Sequence, residues 1–334
     1  MTNWDIEYLK LCKRILEEGI EVENRTGINT IKVPSHHFHF DLDKEFPILQ
    51  TKQLFFKNAI TEILWIYQAQ SNDVRWLKER NNKVWNEWMV DADGIYRTYD
   101  NKTKELVSEK EFGKEYAYTI GTAYGWIVNR YKLIDKLLDA LKNNKTDRRL
   151  VMSLWQDEWL KTAVLPSCVW SSEWDITNGK LNAWVHQRSC DVPLGLPFNV
   201  TQYSVLLNLL AKVSGLEPGT LDWSIKDAHI YVNQIDGIKE QLNRQKFYDM
   251  LSGCDKKMLK ELKEDIQNGK HDLKTVDNDT GLKAIDIKLQ EEKPYLWINP
   301  EVKDFYDYDN SSELKDIKVK EYKHMGKINF PIAQ

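Results

Sequence analysis

The chain has 334 residues, 42% of them apolar and 13 of them tryptophan, which is enough to bury a large core and argues against disorder as its main state. Its 47 basic residues nearly balance 51 acidic ones, for a formal net charge of −4, so it is not built as a whole to coat nucleic acid or an anionic membrane, although a local basic site for a small anion is compatible. Cys12, Cys168, Cys190 and Cys254 lie far apart, without CxxC or zinc-ligand spacing, the stretch MTNWDIEYLK is polar, and no apolar run approaches the ~18 residues that span a bilayer, so no metal, no disulfide framework and a reducing cytoplasm are expected.

Apolar residues at helical spacing (Trp4, Tyr8, Leu9, Cys12, Ile15, Leu16) predict a helix over 3–18. Residues 30–42 alternate as a strand. Residues 57–70 read as a strongly apolar helix that carries one acid, Glu62. An amphipathic helix is predicted over 131–143, and a β-branched, aromatic-ended strand over 148–155. Strands at 169–176 and 181–188 are joined through Asn178-Gly179, a dipeptide suited to the positive φ angles of a tight hairpin. A long buried helix follows over 199–214, then a strand over 221–232. The pattern is α+β: a mixed, largely antiparallel sheet packed with helices. Residues 246–293 are rich in Lys, Glu and Asp, with a solvated helix predicted over 256–267 and a loop at 268–270. That composition fits a charged surface insertion in a single domain spanning 1–334.

Two cysteines sit in suggestive places. Cys168 follows Pro166 at a strand start, where a side chain can project into a cleft and nearby arginines can depress a thiol pKa. Cys190, between Ser189 and Asp191, reads as packing on a ligand-holding segment. Glu62 among Ile60, Ile63, Leu64 and Trp65 is a costly place for a carboxylate without a purpose, unless it faces solvent or a buried cation.

The strings QRSCDVPLGLPFN at 187–199, PSC at 166–168, DAHIY at 227–231, RTG at 25–27 and TEILW at 61–65, with the pair Arg148-Arg149, together resemble the folate-dependent thymidylate synthase family. The likeness runs in order from about residue 4 to the end of the chain, interrupted by the charged segment and by a looser stretch at 91–117. The resemblance implies a thymidylate synthase-like fold in which one sheet face forms a homodimer interface. It implies methylation of dUMP to dTMP with 5,10-methylenetetrahydrofolate, through a thiolate at Cys168 that adds to carbon 6 of the base. The related dUMP hydroxymethylase, which captures the same intermediate with water, is the alternative reaction. Neither a metal nor a nucleic acid is required.

By the same resemblance Arg188 is the local cation for Cys168. Arg188 is also a substrate-binding residue, and Arg25 and Ser189 clamp the phosphate, joined by Arg148 and Arg149 reaching across from the neighbouring subunit. Asn199 reads the uracil edge, since one amide both accepts from N3–H and donates to O4, and Gln187 is a further substrate-binding residue. Taken alone, Asn199 would sooner be a helix cap, and the paired arginines a solvated surface. His229 and Tyr231 contact the deoxyribose hydroxyl. Glu62 moves protons, Tyr124 assists removal of the carbon 5 proton, and Trp85 and Trp88 wall the pterin. Asp191 hydrogen-bonds the pterin ring, and Gly195 and Ala333 contribute to the folate site. Three departures from the family pattern stand out: Val169 where many relatives have histidine, Ile225-Lys226 in place of Gly-Gly, and a terminal Gln334 where an aliphatic residue is common.

Overall fold

The computed structural model describes residues 1–100 and 103–332. In chain order its elements are helix α1 (Asn3–Glu18), strands β1 (Ile20–Val22) and β2 (Thr30–Asp41), helices α2 (Phe56–Tyr67) and α3 (Val74–Lys78), strands β3 (Ile95–Tyr99) and β4 (Leu106–Glu111), and helices α4 (Gly125–Tyr131) and α5 (Leu133–Asn143). Strands β5 (Val151–Ser153), β6 (Val169–Thr177), β7 (Lys180–Gln187) and β8 (Cys190–Asp191) follow, then helix α6 (Gly195–Val213) and strand β9 (Glu217–Tyr231). Helices α7 (Ile235–Met250), α8 (Lys256–Gln267) and α9 (Asn278–Lys288) and strands β10 (Tyr295–Ile298) and β11 (Ile317–Lys320) complete the order.

The main sheet runs β1-β2-β9-β7-β6-β5, with β8 also paired to β9. The β1·β2, β2·β9, β5·β6 and β6·β7 pairs are antiparallel, whereas β7 and β8 run parallel to β9. The mixed character follows from connectivity. Asn178 and Gly179 take φ of 51° and 77°, closing the tight β6–β7 hairpin, while the path from β7 to β9 passes through α6 and returns in the same direction. Helix α6 is apolar on almost every side because it is sandwiched between the sheet and α2. Helix α1 starts at Thr2, whose hydroxyl accepts from the Asp5 N–H, and the buried Asp5 carboxylate in turn accepts from the N–H groups of Gln50 and Thr51.

The opposite face of the sheet is open. Trp170 and Trp184 are 37% and 47% exposed there. They share that face with His37, His186, Glu173 and Asp222, which bond across strands: His37 Nε2 lies 3.2 Å from Asp222 Oδ1, and His186 Nε2 lies 2.9 Å from Glu173 Oε1.

Several predicted elements shift. Helix α6 begins at Gly195 rather than at 199, so Asn199 lies beyond its first turn and is not a cap. The strand expected over 148–155 shrinks to β5, leaving Arg148 and Arg149 in the loop before it. The looser stretch holds the β3–β4 hairpin, whose β4 is exposed throughout and carries no alternating pattern. The charged segment contains α8 as expected and also α9; Phe247, Leu259, Ile266, Ala284, Ile285 and Met325 form an apolar cluster there, separate from the main core. Ala333, expected to contribute to the folate site, and Gln334 lie outside the described residues.

Candidate active site

Cys168 stands immediately before β6, where the chain turns from the PSC stretch into the sheet. Its carbonyl accepts from the Arg188 N–H at 2.9 Å, which locks the two sequence-distant motifs side by side. The Arg188 guanidinium is then aimed by the stretch itself: Nε donates to the Ser167 carbonyl at 3.0 Å and Nη2 to the Pro166 carbonyl at 2.6 Å, leaving Nη2 3.9 Å from Cys168 Sγ. Trp155 lies under the guanidinium, 5.4 Å from ring centroid to carbon. Burial pushes the Cys168 thiol above its ordinary value, and Arg188 and then Arg25 pull it back. The expectation of a depressed thiol is therefore corrected: desolvation outweighs both guanidiniums. Cys190 is buried on β8, and burial holds its thiol well above the ordinary range with Asp191 adding to the effect, so it behaves as packing.

The Tyr124 hydroxyl accepts from the Cys168 N–H at 3.1 Å. Tyr124 has φ of 48°, and Gly125 behind it approaches Ser71 so closely that a Cβ would sit 2.0 Å from that carbonyl oxygen. Burial raises the phenol well above its ordinary value, so the hydroxyl keeps its proton. The Tyr124 ring is 5.2 Å from Trp85, and Trp85 is 5.5 Å from Trp88, so the two tryptophans line one wall. The Trp85 indole N–H donates to Glu62 Oε1 at 2.8 Å. Glu62, 5% exposed in the middle of α2, has no hydrogen-bond partner for Oε2 among the described residues. Burial pushes its pKa up to about 7, with Trp85 and Gln202 offsetting part of the desolvation.

A directional chain of amides runs across the inner face of the sheet. The Trp223 indole donates to Gln187 Oε1 at 3.0 Å, Gln187 Nε2 donates to Asn199 Oδ1 at 3.2 Å, and Asn199 Nδ2 donates to Gln202 Oε1 at 3.0 Å. An indole nitrogen can only donate, so it sets the orientation of every amide after it. Gln202 was not legible as a site residue, although its spacing of three from Asn199 puts both on one face of α6.

At the other end, Ser189 Oγ donates to Asp227 Oδ2 at 3.3 Å, and Lys32 pairs with Asp227 Oδ1 at 3.2 Å. Arg25 sits in a loop shaped by Asn24, whose Oδ1 accepts from Thr26 N–H at 2.9 Å and whose Nδ2 donates to the Ile28 carbonyl at 2.7 Å. Its charge is felt at Cys168 and at Tyr231. His229 and Tyr231 alternate on β9 with ring centroids 5.3 Å apart. Asp191 accepts from the Leu194 N–H at 3.2 Å, just before Gly195 opens α6. Lys52 is a buried cation that sequence reasoning missed; its Nζ donates to the Pro193 carbonyl, and burial pushes its pKa down to about 8. Arg148 and Arg149 stay apart from this cluster. Arg149, its side chain 86% exposed, bonds Asp147 Oδ1 at 3.0 Å, and Arg148 lines a groove with Trp184, Glu173 and Asp222 on the outer sheet face. Lys226 also points outward and Ile225 into the core, so the Ile-Lys pair adds no charge to the site.

The family model described as thymidylate synthase matches residues 6–272. A thymidylate synthase of Clostridium beijerinckii is 40% identical over 333 residues, and thymidylate synthase 1 of Bacillus subtilis strain 168 is 33% identical over 347 residues, each comparison covering 100% of both chains. The solved thermostable thymidylate synthase A from Bacillus subtilis superposes with a TM-score of 0.73 at 32% identity, again covering 100% of both chains. The alternative of a hydroxymethylase finds no support among these relatives.

Proposed function

The chain belongs to the thymidylate synthase family and methylates dUMP to dTMP with a folate co-substrate, and we propose that it does so through a covalent bond between Cys168 and carbon 6 of the base, with 5,10-methylenetetrahydrofolate giving both carbon and hydride. The observation that carries this reading is the Arg188 guanidinium 3.9 Å from Cys168 Sγ, the cation a buried thiol needs in order to reach its reactive form.

Addition of the thiolate to carbon 6 moves the electron pair of the 5,6 double bond onto carbon 5 and O4, and carbon 5 then bonds the one-carbon unit. The carbon 5 proton leaves with help from the Tyr124 hydroxyl. Elimination of the folate leaves an exocyclic methylene; hydride from the tetrahydrofolate reduces it, and expulsion of the Cys168 thiolate gives dTMP and dihydrofolate. Glu62, titrating near neutrality beside an unpaired oxygen, takes up and returns protons during folate breakdown. Asn199, held by Gln187, presents an acceptor to N3–H and a donor to O4 and so selects uracil over cytosine. His229 and Tyr231 hold the deoxyribose. Trp85, Trp88, Asp191 and Gly195 form the folate side of the cleft.

Arg25 and Ser189 grip the phosphate. The remaining charge comes from Arg148 and Arg149 of a second copy, making the enzyme a homodimer through its open sheet face. Support for this is the position of Arg148 among outer-face residues and the exposed tryptophans of that face. The charged segment 246–293 is an addition to one catalytic domain, a reading supported by its separate apolar cluster.

Cys168→Ser binds dUMP but neither turns over nor traps fluoro-dUMP. Mixed with Arg149→Ala chains, it regains activity, because one of the two hybrid sites is complete. Trapping by the serine variant refutes the nucleophile, and failure of the mixture refutes the shared arginine.

A further inference from the structure

We infer that Gln234 is a positioning residue for folate binding, a single amide that fixes the Asp191 carboxylate and anchors the chain at Pro331 to it. The inference rests on the reading of Asp191 as the group that accepts a hydrogen bond from the pterin ring.

Gln234 is 1% exposed and closes the short 3-10 turn, residues 232–234, that follows β9. Its Oε1 accepts from the Tyr231 N–H at 3.1 Å, and its Nε2 donates to Asp191 Oδ2 at 3.1 Å and to the Pro331 carbonyl at 3.0 Å. The backbone N–H of Tyr231 can only donate, so the amide oxygen must face it. Both N–H groups are thereby committed, one to the carboxylate and one to the chain near its end. The flipped amide would set an oxygen against a carboxylate and a carbonyl at once. Asp191 Oδ1 is held by the Leu194 N–H, so each oxygen carries one fixed donor and keeps a lone pair for a ring N–H of the co-substrate.

The anchored segment is fixed independently. The Phe330 ring lies 4.7 Å from Lys52 Nζ, and it packs so closely on Gly237 of α7 that a Cβ there would sit 2.5 Å from the ring. Burial pushes the Asp191 carboxyl upward; Gln234 is the chief counterweight, followed by His229, the Leu194 N–H and Lys52. Tyr8 on α1, Tyr231 on β9, Cys168 and Cys190 also face this carboxyl. Without Gln234 the carboxylate loses the donor that favours its ionised form, the form that accepts on both oxygens and is the stronger acceptor for a ring N–H.

The test compares Gln234→Leu and Gln234→Glu with the unaltered enzyme, measuring the KM of methylenetetrahydrofolate and of dUMP from about pH 6 to about pH 8.5. Gln234→Leu raises the folate KM about tenfold at every pH and leaves the dUMP KM within about twofold. Gln234→Glu still accepts from Tyr231 but puts two carboxyls face to face. It matches the leucine variant at high pH, and as pH falls it recovers toward the unaltered enzyme, because the protonated glutamate again donates to Asp191. Taking the ratio to the unaltered enzyme at each pH removes the effects of pH that the variants and the unaltered enzyme share.

A pH-independent defect in Gln234→Glu, or a loss shared equally by dUMP, overturns the proposal. Should Gln234→Leu not fold, Gln234→Glu decides alone, since its low- and high-pH values sample both states. Asp191→Asn separates the two levels of argument. An unchanged folate KM there sinks the reading of Asp191 itself, whereas a raised one beside unaffected Gln234 variants sinks the coupling.

Discussion

Replacing Glu62 with glutamine should separate a catalytic carboxylate from a merely buried one by the pH dependence of stability. Burial raises this carboxyl from its ordinary 4.5 to about 7, so ionising it inside the fold costs about 3 kcal/mol more than in the unfolded chain. Between those two values the folded state holds a proton that the unfolded state has released. Stability therefore falls by about 3 kcal/mol as pH rises from below 4.5 to above 7, and this group contributes no further change outside the window. Glu62→Gln cannot ionise and lacks that fall. It carries a constant penalty of about 1–3 kcal/mol instead, since its new N–H₂ faces the equally unpartnered Nε2 of Gln202. The diagnostic quantity is thus the change with pH, not the offset. Urea unfolding at about pH 5 and about pH 8, at fixed protein concentration, should show the variant gaining about 2–3 kcal/mol on the unaltered enzyme, while turnover drops by about 10²–10⁴-fold at both pH values. Parallel stability curves for the two proteins would refute the buried, proton-holding carboxyl, and retained turnover would refute its role in the reaction.

Asn199→Asp keeps an acceptor for Gln187 but deprives Gln202 Oε1 of its donor, so the preference for dUMP over dCMP should shrink by about 1–3 kcal/mol in a comparison of kcat/KM. An unaltered enzyme that already prefers dCMP ends that account. Gly125→Ala forces a methyl group to within 2.0 Å of the Ser71 carbonyl oxygen, beside a tyrosine already at positive φ. A thermal midpoint lowered by the equivalent of about 1–3 kcal/mol is expected, together with reduced turnover as Tyr124 shifts; a neutral substitution contradicts the close approach.

Much of the architecture was legible because the informative segments bury one face. Helix α1 begins and ends where its periodicity places it, since it shows an apolar stripe against polar positions, and helix α8 spans the residues expected of a solvated helix in the charged segment, although Leu259 and Ile266 are buried. The β6–β7 hairpin was fixed by two residues, Asn178 and Gly179, whose backbone preference leaves little choice of turn. The start of α6 was misplaced because Leu194 offers no side-chain cap and Pro197 suggests a later onset, although proline is tolerated in a first helical turn. Strands β10 and β11 and helix α7 carry weaker patterns and acquire their burial from distant partners. Within the site, residues that bear the chemistry stand inside quotable motifs. Gln202, Gln234 and Lys52 do not, because their importance lies in what they touch: an amide, a carboxylate and a proline carbonyl that only the fold brings near.

Hydrogen-bond direction joins the base-reading end of the cleft to its proton-handling end. Trp223 can only donate, so Gln187 must turn its oxygen toward the indole, Asn199 its oxygen toward Gln187, and Gln202 its oxygen toward Asn199. What emerges at the end of this sequence is an amide N–H₂, and Gln202 is one of the two groups that ease the ionisation of Glu62. The other is Trp85, whose indole is again donor only. Glu62 is therefore approached by donors from both sides. When it is ionised, both neighbours favour it; when it holds a proton, neither Trp85 nor the Gln202 N–H₂ can accept the O–H. The proton therefore finds no acceptor on either neighbour, and Oε2 has no hydrogen-bond partner among the described residues. A carboxyl so arranged is favoured by its neighbours only as the anion, and the polarity that decides this is fixed by Trp85 on one side and, on the other, by Trp223 at the far end of the amide chain.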